Sequence, residues 1–105
     1  MQDEMMRLAL EEAARSGADV PVGAVVAKNG RVIAAAHNER EADNDPFAHA
    51  EMLAMREACR KLGVRRLRDC TLYVTLEPCP MCAGALVMAE MGECVFGAYD
   101  PRQGC

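Results

Sequence analysis

Two short segments of this chain carry residues that commonly bind metal ions, and the fold must bring the two segments together if they bind one ion. One reads His-Ala-Glu and begins at His49, and the other reads Pro-Cys-Pro-Met-Cys and contains Cys79 and Cys82. One imidazole and two thiolates suit Zn²⁺, and three protein ligands leave the fourth tetrahedral position open. An open position is typical of a catalytic zinc site, and Glu51 is then free to transfer protons. The two segments therefore predict a hydrolytic metal centre.

The Cys-x-x-Cys spacing alone does not identify such a site, because redox pairs and structural zinc sites share it. A structural tetrad needs two more ligands, and Cys59, Cys70 and Cys94 form no second pair of this spacing. His49 and Glu51 would diverge by roughly 200° within a helix. They share a site only if it lies off a helix N-terminus, where backbone N–H groups and the helix dipole also favour thiolates.

Apolar periodicity and turn residues predict the order helix, hairpin, helix, strand, helix, strand. The predicted elements are a helix over 6–13, strands 20–27 and 32–37, a helix from 45–46 to 62, a strand 71–76, a helix from 78–80 to 91 and a strand 93–98. Asn29-Gly30 is the hairpin turn, Asp45-Pro46 the N-cap and first position of the second helix, and Gly63 its end. Strands separated by helices indicate a mixed sheet flanked by helices. We expect the last two helices to begin at the carboxyl ends of neighbouring strands.

The composition fits one small domain covering residues 1–105, with a net charge of −4. This charge is not the balance of a general nucleic-acid binder. Six basic residues nevertheless lie between Arg56 and Arg68, and a local patch can contact phosphates. A solvated helix face is the more ordinary interpretation of that patch. The acidic N-terminus and the lack of a long apolar run indicate a reducing, cytoplasmic setting without a membrane anchor.

The same residues carry a resemblance to a known family. The pattern His-x-Glu followed by Pro-Cys-x-x-Cys is the signature of zinc-dependent nucleobase deaminases. Over nearly its whole length, from Met6 to Asp100, the chain resembles the tRNA-specific adenosine deaminases of the cytidine-deaminase-like superfamily. Residues 45–51 and 72–85 are the most specific parts of the resemblance.

The resemblance implies a three-layer α/β/α fold that converts adenosine to inosine at the wobble position of a tRNA anticodon. It implies one Zn²⁺ per chain held by His49, Cys79 and Cys82, with Glu51 as the proton shuttle, and a homodimer as the working form. The substrate-binding positions it implies are Asn38, the backbone at Ala50, Val22 and Pro78. The candidate contacts to RNA phosphates, taken from the basic patch, are Arg56, Arg60, Arg65 and Arg66.

Two departures from the family pattern stand out. Phe47 occupies a position where the family usually has Thr, so it either narrows the pocket or fills core. The chain also ends before the last strand and C-terminal helices of the family, so we expect a shortened sheet with an edge beside Val95 and Phe96 that a dimer would cover.

Two other interpretations remain open. The first is that the chain deaminates another base, such as free guanine, free cytosine or adenine in single-stranded DNA. Alternatively, it is a non-catalytic zinc-binding fragment, although a purely structural site has no need of the carboxylate of Glu51.

Overall fold

The computed structural model describes residues 2–98, which form a four-stranded sheet covered by helices on both faces. The elements are α1 (Gln2–Ala13), β1 (Gly23–Lys28), β2 (Arg31–His37), α2 (Ala50–Leu62), β3 (Thr71–Val74), α3 (Pro80–Met88) and β4 (Glu93–Phe96). The strand order is β2-β1-β3-β4. β1 is antiparallel to both β2 and β3, and β3 is parallel to β4. The predicted mixed sheet is confirmed, and Tyr99 and Asp100 of the family resemblance lie outside the described residues.

The β1–β2 hairpin turns at the predicted dipeptide. Asn29 has a φ of 54° and Gly30 a φ of 75°, and two positive φ values are what a two-residue hairpin turn requires. The strand before the turn begins at Gly23 rather than at Val20, and Val20 is largely exposed. The hairpin prediction is therefore confirmed, with a later start of its first strand.

Each face of the sheet carries its own core, because successive residues of a strand point to opposite faces. On one face, α1 packs against a cluster that includes Val25 and Tyr73. On the other face, α2 and the apolar side of α3 pack over Val26 and Leu72. The two helix layers and the sheet between them form the expected three-layer α/β/α arrangement. Among residues 2–98, no helix has the length and apolar character needed to cross a membrane.

Helix α2 begins later than predicted, and the expectation that Asp45-Pro46 starts it is wrong. The N-cap is His49, and Ala50 is the first helical residue. The Asp45 side chain instead accepts a hydrogen bond from the N–H of Phe47 at 2.8 Å, which stabilises a separate turn. The end of the helix is as predicted, with Gly63 in the left-handed conformation.

The strands that lead into α2 and α3 are not neighbours, contrary to the prediction. Both β2 and β3 pair with β1, which lies between them and runs the opposite way. Their carboxyl ends still point to the same edge of the sheet.

Helix α3 also ends at Met88 rather than Met91, because Glu90 adopts a φ of 51° that a helix cannot continue through.

Candidate metal centre and active site

The ligand candidates lie at the amino ends of two helices. His49 is the N-cap of α2 and Cys79 the N-cap of α3, and both have extended backbone conformations. Neither side chain caps its own helix, so each is free to face the other. Pro80 occupies the first turn of α3, where its missing N–H costs no hydrogen bond. The positive ends of both helix dipoles therefore face one point.

The three candidate ligands converge at that point. Donor atoms of His49, Cys79 and Cys82 all lie within 4.8 Å of one another. The Cys79 sulfur is 3.7 Å from Nδ1 of His49. Ordinary Zn–S and Zn–N bond lengths at a tetrahedral angle require a separation of about 3.6 Å between such atoms. The donor set and its spacing therefore fit a zinc ion.

Glu51 and Cys82 form the buried side of this cluster. Glu51 is 4% exposed and Cys82 is fully buried. Burial raises the pKa of the Glu51 carboxyl, while hydrogen bonds from its own backbone amide and from the Cys82 thiol act the other way. Burial, and then the nearby charge of Glu51, raise the pKa of the Cys82 thiol. Burial thus disfavours the charged form of both groups, and a cation bound nearby would act the other way.

His49 is electrostatically different from these two groups. Burial lowers its pKa, and the positive charge of Arg40 lowers it further. The neutral imidazole is the form that binds a metal, so both effects prepare His49 for ligation. Arg40 was not predicted as a neighbour of His49, because its proximity depends on how the loop after β2 folds back.

Cys94 is a second neighbour that the sequence did not associate with the site. It lies on β4 and lines a small cavity of about 170 Å³ together with Pro78 and Phe96. Burial and then the charge of Glu51 raise the pKa of the Cys94 thiol to about 11. Glu51 on α2 is thus close enough to Cys82 of α3 and Cys94 of β4 to affect the pKa of both thiols.

Asn38 connects two of the other predicted substrate-binding positions, Val22 and Ala50. Asn38 is buried, and its side chain accepts a hydrogen bond from the N–H of Ala50 at 2.8 Å. Its backbone N–H donates to the carbonyl of Val22 at 3.2 Å, and Pro78 is buried directly before Cys79.

Phe47 is 60% exposed, so the interpretation of Phe47 as a core residue is wrong.

The structure separates the four predicted arginine contacts into two groups. Arg60 forms an ion pair with Glu57, and Arg66 forms one with Glu90, each at 2.9 Å. Arg56 and Arg65 instead line an apolar groove of about 360 Å³ between α2 and α3. The arginine patch is therefore partly neutralised by acidic neighbours, and its role in RNA binding stays a prediction.

Comparisons with known proteins identify the family of this chain. Residues 1–98 match the family model of the cytidine and deoxycytidylate deaminase zinc-binding region. A tRNA-specific adenosine deaminase of Bacillus subtilis is 55% identical, with 99% of this chain and 66% of the relative covered. This chain thus spans about two thirds of the length of that relative.

Solved structures show the same likeness. A structure from a study of A-to-I editing by tRNA:A34 deaminases at the wobble position of transfer RNA superposes with a TM-score of 0.94. It is 47% identical, with 97% of this chain and 75% of that chain covered. A guanine deaminase of Bacillus subtilis has a TM-score of 0.89 and 40% identity, over 92% of this chain and 64% of that chain. The chain belongs to the cytidine and deoxycytidylate deaminase zinc-binding family, and within it to the tRNA-specific adenosine deaminases.

Proposed function

We propose that residues 1–105 act as a single domain that hydrolytically deaminates adenosine to inosine at the wobble position of a tRNA anticodon. The observation that carries the proposal is the convergence of His49, Cys79 and Cys82 beside the buried carboxyl of Glu51. A structural metal site does not require that carboxyl. The likeness to tRNA-specific adenosine deaminases supports adenosine in tRNA as the substrate.

His49, Cys79 and Cys82 would hold one Zn²⁺, and the fourth position would take a water molecule. The chemistry that a bound zinc supplies is a lowered pKa of that water, which makes hydroxide available near neutral pH. Two thiolates reduce the positive charge of the site, and the amino ends of α2 and α3 offset part of that reduction.

Glu51 moves the protons of the reaction. Its carboxylate accepts a proton from the attacking water and passes it to the ring nitrogen next to the reacting carbon. The second proton goes to the exocyclic amine, which leaves as ammonia, so adenosine and water yield inosine and ammonia. Burial raises the pKa of Glu51, and a raised carboxyl pKa suits a group that must both accept and donate protons near neutral pH.

The base would lie against Asn38, the backbone at Ala50, Val22 and Pro78. Asn38 keeps a second N–H and a second oxygen lone pair beyond the bonds it makes within the protein, and these can contact a purine. A wobble adenosine lies in a loop, where unstacking a base costs little. Within residues 2–98, Arg56 and Arg65 form no ion pair like that of Arg66 with Glu90, and they are therefore the better candidates for phosphate contacts.

We also infer a homodimer. Val87 and Met88 at the end of α3 are 76% and 85% exposed, beside the groove between α2 and α3. Within residues 2–98, β4 is an edge strand of the sheet. Exposed apolar side chains and an edge strand are both typical of a surface that a partner covers. Sedimentation velocity should detect dimers at low micromolar concentration, and a monomer there would contradict the inference.

The test of the activity uses the zinc-loaded chain and an anticodon stem-loop RNA with adenosine at the wobble position. We expect inosine from the parent chain and from Glu11→Gln, an exposed change on α1, and none from Glu51→Ala. The same stem-loop with adenosine moved one nucleotide should not react.

Free guanine, free cytosine and single-stranded DNA test the other substrates. The likeness to a guanine deaminase makes guanine the strongest competitor. Turnover of guanine without inosine formation would replace the proposed substrate. A folded, zinc-loaded chain that turns over none of these substrates would support a non-catalytic fragment.

A further inference from the structure

We propose that Asn38 is a positioning residue for the metal centre, fixing the amino end of α2 and thereby His49 and Glu51. This role is additional to any contact with the base, and it rests on the proposed function only in assuming that the cluster binds a metal. It depends on the hydrogen bonds of one buried side chain.

Asn38 connects three segments of the chain. Its Oδ1 accepts a hydrogen bond from the N–H of Ala50 at 2.8 Å, and its Nδ2 donates one to the carbonyl of Val20 at 3.0 Å. Its own backbone N–H donates to the carbonyl of Val22 at 3.2 Å. The side chain is 6% exposed, so water cannot easily replace these bonds.

The bond to Ala50 serves a helix that lacks an ordinary cap. The first N–H groups of any helix have no partner within the helix, and an N-cap side chain usually satisfies one of them. The N-cap of α2 is His49, whose side chain makes no capping bond and faces Cys79 instead. Ala50 is fully buried. Asn38, the residue after β2, therefore satisfies one of the free N–H groups at a helix end whose N-cap side chain faces the cluster instead.

The residues on either side of Ala50 carry the chemistry. His49 precedes it and Glu51 follows it, so the position of one peptide N–H sets the direction of both side chains. Neighbours that orient metal ligands typically change metal affinity by 10- to 100-fold when removed. A residue that contacted only the base would leave the affinity of the free protein for metal unchanged.

The same bond limits what Ala50 can offer a substrate. Its N–H is already used by Asn38, so a purine would meet the remaining groups of the Asn38 amide rather than the Ala50 N–H. Binding of the base and orientation of His49 and Glu51 are thus linked through one side chain.

The test is a Co²⁺ titration of the metal-free, reduced 105-residue chain, followed by the visible absorption of thiolate-bound Co²⁺. Asn38→Ser shortens the side chain so that it no longer reaches Ala50, and we expect Co²⁺ affinity about 10- to 100-fold lower with a changed spectrum. Asn38→Asp keeps an oxygen facing the Ala50 N–H but loses the donor to the Val20 carbonyl, so it should keep the parent spectrum and retain more of the affinity than Asn38→Ser.

A matched control separates positioning from general loss of stability. Val26→Ala removes buried volume from the core under α2, so it should lower the melting temperature without changing the Co²⁺ spectrum. Parent-like Co²⁺ affinity in Asn38→Ser, or the same loss in Val26→Ala, would overturn the proposal. Because no RNA is present, a lack of deaminase activity would contradict the proposed substrate and leave this result standing.

Discussion

Replacing Glu51 by Gln should separate proton transfer from metal binding. The side chain is 4% exposed, and Gln preserves its shape while removing the charge and the ability to carry the proton. A positioned general acid–base contributes about 10²- to 10⁴-fold in rate, which is about 2.7 to 5.4 kcal/mol of barrier. We expect kcat on the stem-loop RNA to fall by at least about 100-fold.

The same change should not weaken the metal site. The charge of Glu51 raises the pKa of the Cys82 thiol, second only to burial. Removing that charge lowers the pKa of Cys82 and makes its thiolate easier to form. Glu51→Gln should therefore still bind zinc, because all three candidate ligands are kept and the Cys82 thiolate is easier to form near neutral pH.

The stability of the metal-free chain should also respond, in a direction set by the Glu51 pKa. Burial raises this pKa in the folded state above its ordinary value of 4.5. The folded state therefore loses stability as the pH rises from about 4.5 through the folded pKa, by about 1.4 kcal/mol for each pH unit between the two values. Gln does not ionise, so metal-free Glu51→Gln should be the more stable protein at pH 7, with the difference closing towards pH 4.5.

Three measurements on purified protein test this reasoning. Zinc content per chain, inosine formation and thermal melting with a chelator present are compared among the parent, Glu51→Gln and the exposed control Glu11→Gln. A Glu51→Gln protein that lacks zinc, or one that turns over RNA at nearly the parent rate, would refute the separation of roles.

Three further predictions concern other parts of the structure. Gly23→Ala would place a methyl group 1.9 Å from the backbone oxygen of Ala9, so we expect the free energy of unfolding to fall by about 3 kcal/mol in a denaturant titration. Cys94, with its pKa near 11, should be alkylated by iodoacetamide at pH 8 roughly 200-fold more slowly than a free thiol, and rapid labelling in the folded chain would contradict its burial. Glu90→Gln releases Arg66 and should tighten stem-loop binding in a fluorescence anisotropy titration. That gain should vanish near 1 M salt, and no gain at low salt would remove this arginine from the RNA surface.

Local signals in the sequence predicted local structure well. The turn at Asn29-Gly30 and the helix end at Gly63 both require residues that tolerate a positive φ. Such residues are recognisable in the sequence without knowledge of distant contacts. The family resemblance also predicted the mixed three-layer fold, and the comparisons confirm it.

Contacts between distant segments were not predictable in the same way. The start of α2 depends on the bond from Asn38, which competes with the equally plausible capping signal of Asp45-Pro46. The placement of β1 between β2 and β3 depends on pairing across most of the chain. Arg66 looked free in sequence because Glu90, its partner, follows only after another strand and helix.

The position of β1 has a consequence for how the chain folds. The strands that lead into the helices of His49 and Cys79 lie on either side of β1, and these two candidate ligands are about 30 residues apart in sequence. A metal ion bound by both would close a loop of that length and act as a reversible crosslink. In the chain-entropy view, closing such a loop removes about 3.7 kcal/mol of freedom from the unfolded chain. The metal would then link the segment that contains the β1–β2 hairpin to the segment that contains the parallel strands β3 and β4. A chelator that removes the metal would break this link and stop the reaction as well.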